Sequence, residues 1–332
     1  NFLKKNEGKK IVAVQGLGFV GSVMSLVCAN AIKEDYAVIG VDLPNQRGKE
    51  IVKSLNNGIF PLVAEDKKIY DFFSKTKQKE NFFATTDEKL LKFADIIIVD
   101  INLDVIKKNN FDGRLKNYKV DLLPFKKAIK SIGKNCKKNT LLLIETTVPP
   151  GTCENVVLPI ISNELEKRKI HIDEIDIGHS YERVMPGPDY IDSIQNFYRV
   201  YSGVTKKSAD AIESFLKTII STKNYPLTRL EKTTATEMAK VLENSYRALN
   251  ISFINEWSRF AEEANVNLYE IIDAIRMRPT HSNLMYPGIG VGGYCLTKDA
   301  LLASWSRQNL IDKGSKLSQS ESAININDQM PR

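Results

Sequence analysis

The chain has 332 residues, 42% of them apolar, which is enough for two domains with buried cores. Its 47 Lys and Arg against 40 Asp and Glu leave a net charge of +7, and the dispersal of those charges points to a solvated Lys-rich surface and away from a nucleic-acid patch. No apolar run reaches the ~18 residues needed to span a bilayer, residues 1–10 lack the apolar core of a secretory signal, and the four cysteines show no C-x-x-C spacing, so the expectation is a cytoplasmic protein with reduced thiols and neither metal nor membrane partner.

Residues 10–15 (KIVAVQ) open a series of short apolar runs of buried-strand length. The run is followed directly by Gly16-Leu17-Gly18-Phe19-Val20-Gly21. Behind a strand and ahead of a helix, this spacing suits a dinucleotide: Gly16 for the tight turn, Gly18 for approach of the pyrophosphate, Gly21 for close helix–strand packing. The helix N-terminus, beginning with Phe19 and Val20, would offer free N–H groups to the phosphates. A second strand, 37–42 (AVIGVD), ends on Asp42, 21 residues after Gly21. A carboxylate there can accept from both ribose hydroxyls and repels a 2′-phosphate, which favours NAD over NADP; Arg47 nearby pulls the other way.

Residues 94–99 (ADIIIV) and 140–145 (TLLLIE) continue the series, with the basic stretch 126–138 between them reading as the wet face of a helix. Strands are also expected at 174–178 and 198–203. Alternation of this kind predicts an α/β fold: a Rossmann-type, doubly wound parallel sheet over residues 1–205. Residues 206–332 read as a helical central domain built around one long helix, because 231–278 contain neither Gly nor Pro. Thr234 and Glu237 suggest a capping box at its start, and Asn267 with Glu270 a second helix start. Met238, Val241, Leu242, Leu249, Phe253, Trp257 and Phe260 recur near helical period, which fits either an intramolecular core or a homodimer seam. Lys240 and Asn244 share one helix face. Beyond Leu317 the sequence turns polar.

The densest signal is Tyr286-Pro287-Gly288-Ile289-Gly290-Val291-Gly292-Gly293-Tyr294-Cys295, followed by Lys298 and Asp299. So many glycines give backbone freedom that no core element needs, and they deliver a cysteine on a loop able to wrap a ligand.

Together with TTVPPGT (146–152), ERVMPG (182–187), KVLENSYRALNISFINE (240–256) and NDQMP (327–331), these motifs resemble the UDP-glucose and UDP-N-acetylhexosamine 6-dehydrogenase family from Lys10 to Pro331. The resemblance implies oxidation of a UDP-sugar C6 alcohol to a uronate in two NAD-dependent steps, with Cys295 as covalent nucleophile. It implies that Lys240 and Asn244 stabilise the oxyanion, that Thr147 and Asp299 hold a water, and that Glu182 is the base for thioester hydrolysis. Thr147 would also border the cofactor. Glu182, Arg183, Val184, Lys240, Asn244, Tyr286, Gly288, Gly290, Gly292 and Gly293 would line the sugar nucleotide. Three departures stand out. Asp100–Asp104 replaces a Thr-Pro-Thr-like loop; His179-Ser180-Tyr181-Glu182 keeps the family's Glu but not its Pro; and Lys298-Asp299 looks like the glucose branch while 183–187 look like the N-acetylhexosamine branch. A homodimer through the long helix and a truncation ahead of a third, UDP-binding domain are further expectations. Two alternatives are a 3-hydroxyacid or 6-phosphogluconate-type dehydrogenase, with a Lys–Asn pair but no need of the cysteine, and a non-catalytic NAD-binding regulator.

Overall fold

The computed structural model describes residues 2–111, 113–184, 187–311 and 314–330; Met185, Pro186 and Pro331, which belong to two of the motifs above, lie outside them. The chain divides into two compact units. The first comprises Asn1–Asn102, Leu123–Thr146 and Thr152–Glu237; the second comprises Leu103–Leu122, Thr147–Gly151 and Met238–Arg332. In chain order the elements begin with α1 (Phe2–Lys5), β1 (Ile11–Gln15), α2 (Phe19–Ala29), β2 (Ala37–Val41), α3 (Gln46–Asn56), α4 (Lys68–Lys79), β3 (Phe82–Thr85) and β4 (Ile96–Val99). Next come β5 (Asp104–Asn109), β6 (Leu115–Asp121), α5 (Leu123–Asn135), β7 (Leu141–Ile144), α6 (Leu158–Glu166), β8 (Asp176–His179) and α7 (Asp192–Gln195). The remainder are β9 (Val200–Gly203), α8 (Lys206–Ile219), β10 (Thr228–Arg229), α9 (Thr233–Glu263), α10 (Leu268–Arg276), α11 (Asp299–Ser306) and α12 (Ser318–Gln329).

The first unit is built on an eight-stranded sheet of order β10-β9-β8-β7-β4-β1-β2-β3. β1, β2, β4 and β7 are buried along nearly their whole length, because helices cover both faces of a parallel sheet. Val12, Val14, Val38, Ile96, Ile98, Leu141 and Leu143 pack with α2 and α8 in one continuous core. Their alternates Ala13, Ile39, Ile97 and Leu142 are equally buried on the other face. Pairing is parallel except between β8 and β9, which run antiparallel through Gly178–Gly203 and His179–Ser202. β3 and β10 carry little buried apolar surface, which is why no strand-length hydrophobic run announces them. The basic stretch within α5 is the wet face expected, opposite buried Phe125, Ala128, Ile129 and Ile132.

The last change of unit along the chain follows Glu237. The reason is α8, whose Ile212, Phe215, Leu216 and Ile219 are fully or almost fully buried in the sheet's core. α9 begins at Thr233, so Thr234 lies inside the helix and is not its cap. The Glu237 carboxylate instead accepts the Cys153 N–H at 2.7 Å. Asn267 does cap α10, accepting from Tyr269 N at 3.1 Å and donating to Glu270 at 2.9 Å.

In the second unit β5 and β6 form an antiparallel hairpin. Its Val105, Leu115 and Tyr118 pack against Ala300 and Leu301 of α11 and Ile324 of α12. The polar tail folds as α12 around buried Ala323, Ile324 and Asn327. Asn327 donates to the Ala248 carbonyl at 2.9 Å. The inward face of α9 is Val241, Ala248, Ser252 and Asn255. Met238, Leu242, Tyr246, Leu249, Phe253, Trp257 and Phe260 lie on an exposed face, each between 37% and 64% accessible.

Candidate active site

The glycine turn joins β1 to α2, and each glycine has its own physical reason. Gly16 has φ +97°, and a Cβ there would sit 2.6 Å from the Asp100 carbonyl oxygen. A Cβ on Gly21 would sit 1.8 Å from the Gly16 carbonyl oxygen, so only glycine lets α2 approach the strand. Gly18 has open space where its side chain would be, as a position reserved for a ligand must. The Asp42 carboxylate accepts Leu17 N at 2.8 Å and Leu43 N at 2.6 Å, which fixes it beside the turn. Arg47 is exposed in the first turn of α3. Phe19 is pinned by Tyr190, whose ring lies 5.1 Å away and whose hydroxyl donates to the Phe19 carbonyl at 2.6 Å. Val20 is half-buried beside it. These residues fit a dinucleotide: a cradle without a side chain at Gly18, a helix N-terminus, and a carboxylate at the end of β2.

Beneath the turn lies a buried charged cluster that the sequence did not reveal. Burial, and then the charge of Glu182, push the Asp100 carboxyl well above the usual carboxylate range, while Arg199 pulls it back. Arg199 ion-pairs with buried Glu145 at the end of β7 and donates from Nε to Ser180 Oγ at 3.0 Å. Burial lowers its guanidinium to about 10. Glu182 accepts the Val184 N–H. Arg183 lies 5.7 Å from the ring centres of both Tyr181 and Phe197.

The second unit holds the thiol and most of its expected helpers. The Cys295 carbonyl accepts Lys298 N at 3.1 Å and Asp299 N at 2.9 Å, a turn that opens α11. Asp299 is buried, and its two carboxylate oxygens are divided between two donors. Asn244 Nδ2 reaches Oδ2 at 2.7 Å and Lys298 Nζ reaches Oδ1 at 2.8 Å. Lys298 also lies 4.4 Å from the centre of the Tyr294 ring. Lys240, one turn before Asn244 on α9, is buried; Thr147 is half-buried. Glu182, Arg183 and Val184 belong to the first unit; within the second, Asn244 and Asp299 are gathered around the Cys295 turn. Lys298 and Tyr294 were missed, although both sit inside the glycine-loop motif.

None of Cys28, Cys136, Cys153 and Cys295 is in a disulfide, and of the four only Cys295 is exposed. Burial raises the Cys28, Cys136 and Cys153 thiols above their ordinary range, which disfavours their thiolates. In the glycine loop, Gly290 and Gly293 have φ of +129° and +81°. Gly288 and Gly292 face open space, and Gly288 N donates to Asn255 Oδ1 at 3.1 Å. The Tyr286 ring stacks on Tyr269 at 5.7 Å, with its hydroxyl donating to Asp273. A cavity of about 890 Å³ beside Gly288 is lined by Arg114, Arg259 and Tyr269, but not by Cys295. Among the described residues, no group of three or more His, Cys, Asp or Glu could hold a metal, and no helix is long and apolar enough to cross a membrane.

A doubly wound sheet with a dinucleotide turn, and a second unit presenting an exposed cysteine, define an NAD-dependent dehydrogenase. Residues 10–220 match the NAD binding domain of the UDP-glucose/GDP-mannose dehydrogenase family, and residues 234–329 match its central domain. The chain belongs to that family, and its cofactor is NAD. It is 30% identical over 333 residues to the UDP-N-acetyl-D-mannosamine dehydrogenase of Methanocaldococcus jannaschii, covering 99% of this chain and 68% of that one. The UDP-D-ManNAc dehydrogenase structure from Pyrococcus horikoshii superposes with a TM-score of 0.79 at 26% identity, over 97% of this chain and 69% of that one. The UDP-N-acetyl-mannosamine dehydrogenase of Staphylococcus aureus gives 0.75 at 25% identity, over 97% and 68%. The chain therefore spans about two thirds of the length of these relatives. Family membership sets aside the 3-hydroxyacid and 6-phosphogluconate alternatives.

Proposed function

We propose that the chain carries the cofactor and nucleophile centres of a UDP-sugar 6-dehydrogenase that converts the C6 alcohol to a carboxylate in two oxidations. The observation that carries this reading is the exposure of Cys295: one exposed cysteine among four, on a glycine-rich loop, two hydrogen-bonded steps from Asn244 through Asp299. The names of the relatives favour a UDP-N-acetylhexosamine as substrate.

NAD, when bound, accepts one hydride in each oxidation. In the first, the C6 hydroxyl loses its proton and C6 its hydride, leaving an aldehyde. An aldehyde has no good hydride to give until a nucleophile adds, so the Cys295 sulfur bonds to C6 and the carbonyl oxygen takes a proton. Loss of that proton and of the C6 hydride gives a thioester. Water then adds to the carbonyl carbon, the C–S bond breaks, and the thiolate returns to Cys295 as the carboxylate forms. Lys240 and Asn244 are assigned to the oxygen that gathers negative charge, Thr147 and Asp299 to the water, and Glu182 to its proton. Asn244 comes to this task already held by Asp299, so little reorganisation is needed at the moment of reaction. Gly16, Gly18, Phe19, Val20, Gly21 and Asp42 are assigned to NAD, with Arg47 and Thr147 at its margin. Arg183, Val184, Tyr286, Gly288, Gly290, Gly292 and Gly293, with Glu182, Lys240 and Asn244, are assigned to the sugar nucleotide.

The exposed α9 face supports a homodimer, and four cysteines without a disulfide support a cytoplasmic setting. The deciding measurement is NADH formed per sugar across a panel of UDP-sugars. Two NADH and a uronate are expected, with acid formation lost in Cys295→Ala. One NADH per sugar in the unaltered protein, or undiminished acid formation in Cys295→Ala, overturns the reading.

A further inference from the structure

We propose that the β5–β6 hairpin is the device that orients the Cys295 thiol, with Asp104 and Lys107 as positioning residues; this rests on the function proposed above. The hairpin leaves the chain immediately after β4 and reaches residues almost two hundred positions later. At its base, the Tyr294 hydroxyl lies 2.7 Å from Asp104 Oδ1 and 2.9 Å from the Leu103 carbonyl. Further out, Lys107 Nζ donates to the Thr297 carbonyl at 3.3 Å and to Asp328 Oδ2 at 2.6 Å. Tyr294 immediately precedes Cys295 and Thr297 follows two residues after it, so the hairpin grips the turn on both sides of the sulfur.

The need for such a grip follows from the loop itself. Gly292 and Gly293 have no neighbour within 4 Å of a would-be Cβ, so no side-chain packing holds the chain there, and the Thr297 hydroxyl reaches the Gly293 carbonyl only from beyond the sulfur, at 3.2 Å. Downstream, the start of α11 is anchored by Asp299 to Asn244. Tyr294 is therefore the point at which the freedom of the glycines is stopped before it reaches the nucleophile. Burial, together with the bond to Asp104, holds its hydroxyl protonated and able to donate. Lys107 is suited to the second tie because the Lys107 and Asp328 side chains are only 23% and 17% accessible, where an ion pair is less screened than on open surface. Val105, Leu115 and Tyr118 give the hairpin an apolar footing on Ala300, Leu301 and Ile324, without which two strands alone would be marginal.

The test uses the intact protein with Tyr294→Phe, Lys107→Met and, as the conservative variant, Lys107→Arg. Two quantities are read: the single-turnover rates of the two hydride transfers, and the rate at which iodoacetamide alkylates Cys295, followed by mass spectrometry. A misplacement of about 1 Å costs up to roughly a hundredfold, so Tyr294→Phe and Lys107→Met are expected to slow the second hydride transfer about tenfold more than the first. Both should also change the alkylation rate, and Lys107→Arg should recover most of each effect. Rates of both kinds equal to those of the unaltered protein overturn the proposal. If Lys107→Met fails to fold, Tyr294→Phe, which removes a single oxygen, still decides. Should the unaltered protein form only one NADH per sugar, the proposed function falls, while the alkylation rates still report whether the hairpin orients the thiol.

Discussion

A thiol becomes a useful nucleophile only where a substrate can reach it and its surroundings tolerate the thiolate. Cys28, Cys136 and Cys153 are small hydrophobes in this sense, and Cys295 is not. That distinction was readable in the sequence from the glycines ahead of Cys295, since no core element needs them. Asp100 was readable only as an oddity, because its burial depends on β4, β7 and β9 meeting in space. Its folded carboxyl titrates above the ordinary value of 3.8. An acid whose pKa is raised by folding contributes stability that is present below its unfolded value and lost as pH rises through the folded one. Asp100→Asn is thus expected to flatten the fall in Tm above pH 3.8 and to raise Tm near neutrality, by about 2–4 °C per kcal/mol recovered. Thermal unfolding from pH 4 to 8 checks this; an unchanged slope would refute it.

Among the elements, the glycine turn separates fold from function most cleanly. Gly21→Ala forces a Cβ against the Gly16 carbonyl at 1.8 Å and should unfold or severely destabilise the first unit. Gly18→Ala meets nothing within 4 Å, so Tm should hold while NAD affinity falls, by at least tenfold in calorimetric titration. A Gly18→Ala protein binding NAD as tightly as the parent would remove the turn from the cofactor site. Strands β1, β2, β4 and β7 were readable because double-sided burial leaves unbroken apolar runs. α12 was not, because its inward face includes Asn327, a polar residue satisfied by the Ala248 carbonyl. The expected cap at Thr234 failed for a related reason: Glu237 is engaged by Cys153, a partner 84 residues away that no local pattern announces.

At the scale of the molecule, the helical period of α9 was plain in sequence but the direction of its apolar stripe was not. Met238, Leu249 and Phe260 recur every eleven residues, close to the pitch of a straight helix, so the stripe stays on one face along its length. Phe253, Trp257 and Phe260 form a ladder with ring centres 6.1 and 5.8 Å apart, the first pair tilted and the second edge-on. An apolar face of this size on a free chain is expected to be covered by a second copy. Trp257→Glu should convert dimer to monomer in sedimentation, and a monomeric parent protein would exclude the seam.

The hairpin also has a consequence for biosynthesis. Lys107 leaves the ribosome 221 residues before Asp328, its ion-pair partner. At about 5–20 residues per second, that is roughly 10–45 s during which β5 and β6 exist without the helices they rest on. An isolated pair of strands with Val105 and Leu115 unpacked is an open template for wrong pairing. The exposed charges on it, Lys108, Lys116 and Lys119 among them, are the kind of residue that discourages such pairing. The nascent chain must hold this segment soluble until α11 and α12 arrive, and the nucleophile turn is set only after they do.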